Sequence, residues 1–236
     1  MSRNVLVFGA HPDDAEIGMG GTIIKLAKSG YDVVLLDLTR GEMSSNGDIH
    51  TRKSEADASG QILRISERYN FNLPDRNIEC SLKTIECVSA VIRRYDPIMI
   101  FYPSSVDPHP DHVAASELID KSIFHAKLRK FESDHAPVVI KKCYTYSING
   151  DSSSDIYIDI SDEYDDKNRA LLCYESQFGN ENPESKTRLN QGFLEYISAR
   201  DRQNGYVSGV KYAECFQEKQ KNAIKNIAMW EASQYE

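Results

Sequence analysis

The chain has 236 residues, a formal net charge of −8 and 40% hydrophobic residues, enough for one α/β domain with a sizeable core. The acidic balance argues against a nucleic-acid surface and favours a small or neutral substrate. No apolar run approaches the ~20 residues of a membrane helix and no signal-peptide region precedes the first apolar stretch, so a cytoplasmic protein without a membrane partner is expected.

The apolar run over residues 4–10 predicts a first, buried parallel strand. It ends in the tight loop His11-Pro12-Asp13-Asp14. A helix is predicted from Gly18 to Ser29, with Ile23, Ile24, Leu26 and Ala27 inward and Gly30 as its stop. Gly18, Gly20 and Gly21 lack the spacing of a dinucleotide fingerprint and are read as close helix–sheet packing. Tyr31 to Thr39 predicts the second strand, followed by a long polar loop over residues 40–47 that contains Glu42. Thr51 to Arg64 reads as helical. Arg52 lies in its first turn, where the helix dipole disfavours a cation, so it either faces a ligand or pairs with Glu55. Tyr69 to Leu73 is a short third strand. Asp75 follows it, placed to accept from sugar hydroxyls or to make a turn. Leu82 to Tyr95 is helical and is stopped by Asp96-Pro97.

The fourth strand, residues 97–102, leads into a second cluster, Asp107-Pro108-His109-Pro110-Asp111-His112, and a helix from Asp111 to about Arg129. Residues 138–148 and 156–160 read as later strands. Ser161-Asp162 is expected to cap a helix through about Tyr174. Asn190 to Gln203 reads as a helix and Val207 to Phe216 as a last strand. The chain is thus one domain over residues 1–216 with a Lys/Gln-rich tail, 217–236, where Ile224, Ile227, Ala228 and Trp230 recur at helical spacing. The five cysteines (Cys80, Cys87, Cys143, Cys173 and Cys215) are scattered without a Cys-x-x-Cys pair, which suggests reduced thiols.

The predicted fold is a Rossmann-like, mostly parallel α/β sheet with helices on both faces. In such sheets ligands lie beyond the carboxyl ends of the strands, where strand order reverses. With the order 3-2-1-4, the strands preceding both His/Asp clusters are neighbours there. His11, Asp14 and His112 could then hold a metal and leave a fourth position for water, the arrangement of catalytic zinc; ferrous iron shares such ligands. Residue type alone does not separate Asp13 from Asp14 as ligand or base. His50, His125 and His135 lie outside both clusters and are assigned no metal.

The pattern His11-Pro12-Asp13-Asp14, then Gly18-x-Gly20-Gly21-Thr22, then His109-Pro110-Asp111-His112 resembles the zinc-dependent N-acetylglucosaminyl deacetylases of the PIG-L/LmbE family. Leu38–Glu42, Arg52-x-x-Glu55-Ala56 and Leu73-Pro74-Asp75-Arg76 extend the likeness, and Tyr174–Phe178 and Tyr212-Ala213-Glu214-x-Phe216 resemble the bacillithiol-type branch. The resemblance implies zinc on His11, Asp14 and His112, with Asp13 as the general base. His109 would serve the oxyanion, kept cationic by Asp111 or Asp107. It also favours Arg52, Asp75 and Glu42 as substrate contacts, an amino-sugar conjugate such as GlcNAc-malate as substrate, and a homo-oligomer. Nucleotide-, lipid- or antibiotic-linked GlcNAc conjugates are alternatives, as is a phosphoester. Pro108, Val139 and Phe193 depart from the Arg, Arg and Tyr expected of the bacillithiol branch, which bears on the aglycone and not on the catalytic set.

Overall fold

A computed structural model describes residues 3–150, 154, 156–179 and 185–219. The strands are β1 (Asn4–Gly9), β2 (Asp32–Thr39), β3 (Glu67–Leu73), β4 (Met99–Pro103), β5 (Lys142–Tyr146), β6 (Ile156–Asp159) and β7 (Ala213–Glu218). They form one sheet in the order β3-β2-β1-β4-β5-β7-β6. The first five of that order run parallel, and β7 is antiparallel to both β5 and β6. The order 3-2-1-4 therefore holds.

The helices are α1 (Asp14–Lys28), α2 (Ile49–Leu63), α3 (Leu82–Tyr95), α4 (Pro110–Ala126), α5 (Tyr164–Leu172), α6 (Glu175–Phe178) and α7 (Phe193–Ser208). Strand side chains alternate between two cores. Val5, Val7, Val33 and Leu35 pack with Ile23 of α1, Leu171 of α5 and Ile197 of α7. Leu6, Phe8, Val34 and Leu36 pack with Ile92 of α3 and Leu118 and Ile119 of α4. Helices cover both faces, as the near-continuous apolar runs of β1 and β2 require.

α3 keeps its predicted limits because its ends are encoded locally. Ser81 and Thr84 form a reciprocal capping box, and Asp96 closes the helix in the left-handed region at φ 43. α1 departs from expectation. It begins at Asp14, not Gly18, and leaves helical geometry at Met19 (φ −152). Just past that break the Gly21 and Thr22 N–H groups donate to Glu214 Oε1 and Oε2 at 2.9 and 2.7 Å. A carboxylate from β7 thus caps the second half of the helix. The glycines do pack closely: a Cβ on Gly18 would lie 2.1 Å from the Tyr146 ring, and one on Gly21 would lie 2.7 Å from Ile160.

Ser161 and Asp162 do not cap α5. That helix starts after Glu163 without a side-chain cap, and Ser161 instead bonds Asp159 Oδ1. α7 runs on through Val207 and Ser208, so the last strand starts only at Ala213, after the Gly209 turn at φ 80, and continues to Glu218. The helical spacing noted at Ile224–Trp230 lies outside the described residues. No described helix is long and apolar enough to cross a membrane.

Candidate active site

β1 and β4 are parallel neighbours, Val5 beside Met99, so the loops after them leave the same sheet edge side by side. The β1 loop supplies His11, Asp13 and Asp14. The His11 N–H donates to Asp14 Oδ2 at 2.9 Å, and Asp14 is the first residue of α1. Asp13 holds φ 121, a region rare for any residue but glycine. The β4 loop supplies His109 as the N-cap of α4, Pro110 at its start, and Asp111 and His112 in its first turn.

The two loops converge. One ligand atom each from His11, Asp14 and His112 lies within 4.8 Å of the others. His112 Nε2 is 3.2 Å from Asp14 Oδ1, and His11 Nδ1 is 3.6 Å from Asp14 Oδ2. Two imidazoles and a carboxylate this close, and buried, suit a borderline divalent cation. Burial opposes charge on His112, but the carboxylates of Asp14 and Asp107 outweigh it and raise its pKa to about 9. The pocket favours positive charge. His50, His125 and His135 join no ligating group among the described residues.

Asp13 is 5% exposed and Arg52 2%. Arg52 Nη2 donates to the Pro12 carbonyl and to Asp13 Oδ2, the latter at 3.1 Å. The pairing with Glu55 does not form; Glu55 instead accepts from the Ser176 N–H and Oγ–H, each at 2.7 Å. The Arg52 guanidinium lies 5.5 Å from the Tyr174 ring centroid. The Tyr174 hydroxyl reaches Glu16 Oε1 at 2.8 Å, and Arg68 bridges Glu16 and Asp37 beneath. Burial pushes the Asp13 carboxyl up to about 7, against the pull of Arg52.

His109 differs from expectation. Among the described residues, no carboxylate reaches its ring within hydrogen-bonding distance. Its Nδ1 accepts the Asp111 backbone N–H at 3.2 Å, which leaves Nε2 to carry a proton. Burial and the neighbouring His112 and His11 lower its pKa, so it is a neutral donor and not an imidazolium. Asp111 turns the other way: its Oδ2 lies 3.2 Å from His11 Nε2 and accepts the Arg76 N–H at 2.7 Å. Asp111 thus orients His11, not His109. Asp107 holds His112, with Oδ1 2.9 Å from Nδ1.

A cavity of about 330 Å³ opens over these groups, lined by His11, Asp13, Asp14, Arg52, Asp75, His109 and His112. Asp75 faces it, with Oδ1 3.2 Å from His11 Nε2 and Oδ2 accepting the Met43 N–H. Glu42 does not line it; Glu42 Oε1 accepts the Asp75 N–H at 2.9 Å and supports that loop from behind. The sequence reading missed Asn149, Gln177, Arg188 and Leu189 on the walls. Gln177 lay within the Tyr174–Phe178 motif; Arg188 carried no local signal. Phe193 lines the cavity, whereas Val139 is 72% exposed and stands apart from it. A wider groove of about 940 Å³, between α3 and α4, holds no ligating cluster among the described residues.

Comparison with known proteins agrees with this geometry. The chain is 32% identical to diacetylchitobiose deacetylase of Thermococcus kodakarensis, over 90% of this chain and 81% of that one. It is 28% identical to a probable N-acetyl-α-D-glucosaminyl L-malate deacetylase 2 of Bacillus cereus, over 75% of this chain and 84% of that one. Among solved structures it matches the conserved protein TT1542 from Thermus thermophilus with a TM-score of 0.86 and 32% identity, covering 95% of this chain and 97% of that one. It shares its fold with the 4-carboxy-2-hydroxymuconate hydratase GalB of Pseudomonas putida KT2440, at TM-score 0.79 and 23% identity over 96% and 99% of the two chains. Residues 6–123, which carry both His/Asp loops, match the family described as GlcNAc-PI de-N-acetylase, and the chain belongs to that PIG-L family.

Proposed function

We propose that the protein is a metal-dependent hydrolase that removes the N-acetyl group from an N-acetylglucosamine conjugate. The observation that carries this reading is the convergence of His11, Asp14 and His112 on one cavity with Asp13 beside them, off the ligand set. Zn2+ is the proposed ion, and Fe2+ suits the same donors. A divalent cation held by these three residues supplies Lewis acidity and brings the pKa of a water toward ~7.

The chain's own groups do the rest. Arg52 holds Asp13 Oδ2, which leaves Oδ1 to take a proton from the attacking water and deliver it to the leaving amine. His109 Nε2–H donates to the acetyl oxygen as negative charge develops there. Arg52 Nε and Nη1 are buried without a partner among the described residues, so Arg52 serves Asp13, and Asp75 at the cavity offers an acceptor to sugar hydroxyls. Arg76 and Arg188 are exposed at the cavity and make no side-chain ion pair among the described residues. Two such cations favour an acidic aglycone, such as L-malate, over neutral chitobiose.

Release of acetate and free amine from GlcNAc-malate, diacetylchitobiose, UDP-GlcNAc and free GlcNAc, by metal-free and Zn2+-loaded protein, tests the reading. Metal-dependent release, fastest from GlcNAc-malate, is expected. Preference for chitobiose would keep the reaction and move the substrate. No release from any member of the panel would overturn the proposal.

A further inference from the structure

Asp107 lies outside the cavity lining, yet it gathers more of the site than any other single carboxylate described above. Its Oδ1 lies 2.9 Å from His112 Nδ1, accepts the His109 backbone N–H at 2.7 Å and accepts from Asn149 Nδ2 at 3.2 Å. Its Oδ2 accepts the Asn149 backbone N–H at 3.1 Å. The side chain is 2% exposed. One carboxylate therefore ties the loop after β4 to the loop after β5 and fixes the angle of the His112 ring.

We propose that Asp107 is a positioning residue that sets the metal affinity of the site through His112. The inference rests on the metal-dependent reading above. An ionised carboxylate only accepts hydrogen bonds, so the imidazole facing it must carry its proton on Nδ1. The lone pair is then on Nε2, the atom that faces Asp14. Asn149 Nδ2 also approaches His112 Nδ1, but at 3.5 Å. It is a donor, and it would select the opposite tautomer. The shorter carboxylate contact wins that competition. Histidines that bind metals commonly donate their other ring N–H to such a partner, and loss of the partner typically costs 10–100-fold in metal affinity. Asp107 does not itself line the cavity, so it acts on the metal through His112.

The test is a Co2+ titration of the full chain with a competing chelator, comparing wild type with Asp107→Asn. The asparagine keeps an acceptor oxygen for only one of the two backbone N–H groups that Asp107 holds, and it no longer enforces a proton on Nδ1. We expect affinity to fall about 10–100-fold. Equal affinity in a folded variant would overturn the role of Asp107 alone. If wild type takes up no Co2+, the metal-dependent reading falls and this inference falls with it. A second measurement needs no variant. In histidine-15N-labelled, Zn2+-loaded wild type, the His112 proton should appear on Nδ1 in long-range 1H–15N correlation spectra; a proton on Nε2 would refute the proposal.

Discussion

Asp13 is held in backbone that costs of order 1–3 kcal/mol, at φ 121, and its carboxylate is buried between Arg52 and Asp14. Strained backbone of this kind clusters at functional sites, and Asp13 belongs to neither ligating group among the described residues. Asp13→Asn keeps the shape and removes the base. We expect kcat to fall about 10²–10⁴-fold with Co2+ uptake unchanged; retained kcat would remove Asp13 from the mechanism. Arg52 gives this residue a signed pH dependence. The guanidinium lowers the Asp13 pKa against burial, so Arg52→Gln should raise it and move the acid limb of kcat/KM to higher pH. Arg52→Lys, which keeps the charge without the fork geometry, should move it less. An acid limb that stays in place would mean another group titrates there. None of this pairing was legible in the sequence, where Arg52 and Asp13 are 39 residues apart and Asp13 and Asp14 are identical in type. What could be read was the loop itself, because a strand ending in His-Pro-Asp-Asp is a local pattern.

α1 shows where element-scale reading succeeds and where it stops. Its glycines were read as packing devices, and Gly18 bears this out by admitting the Tyr146 ring, whose hydroxyl donates to the Phe8 carbonyl at 2.6 Å. Gly18→Ala would force these two apart. Overpacking of this kind costs about 1–3 kcal/mol, or roughly 2–4 °C in Tm for each kcal/mol in a chain of this size. Gly20→Ala, whose Cβ would meet mainly the Lys167 side chain at 3.1 Å, should lower Tm less. Equal Tm losses in thermal denaturation would contradict the packing account. The break at Met19 was not legible, because the cap that follows it comes from Glu214, which is nearly two hundred residues away in the chain and belongs to β7. The antiparallel β5-β7-β6 edge was hidden for the same reason: strand partners are chosen by the assembled sheet, not by neighbours in the chain. α3, whose capping box and left-handed stop are all local, was read to the residue.

At the scale of the whole molecule, an acidic chain of net charge −8 places Arg76 and Arg188 at the mouth of its cavity. Arg188→Ala should raise KM for GlcNAc-malate severalfold and leave chitobiose turnover unchanged, a split that steady-state kinetics on the two substrates would read; equal effects on both would remove the acidic-aglycone argument. Deeper in the site the imbalance runs the other way. Asp13, Asp14, Asp75, Asp107 and Asp111 gather around three histidines and Arg52 at one end of the sheet. In the folded chain these carboxylates are fixed side by side, whereas an unfolded chain lets them separate into water. A cation that binds the folded arrangement and not the unfolded one stabilises the protein by about 2.7 kcal/mol at a free concentration 100 times its Kd. Zn2+ should therefore raise Tm by roughly 5–10 °C, by the same conversion of free energy into melting temperature, and a chelator should reverse the shift. The gain should depend on pH in a known direction. His112 must lose a proton to offer Nε2, and its pKa stands at about 9, so protons compete with the metal below that value. The Zn2+-induced rise in Tm should be larger at pH 8 than at pH 6. A rise independent of pH would mean that His112 is not a ligand.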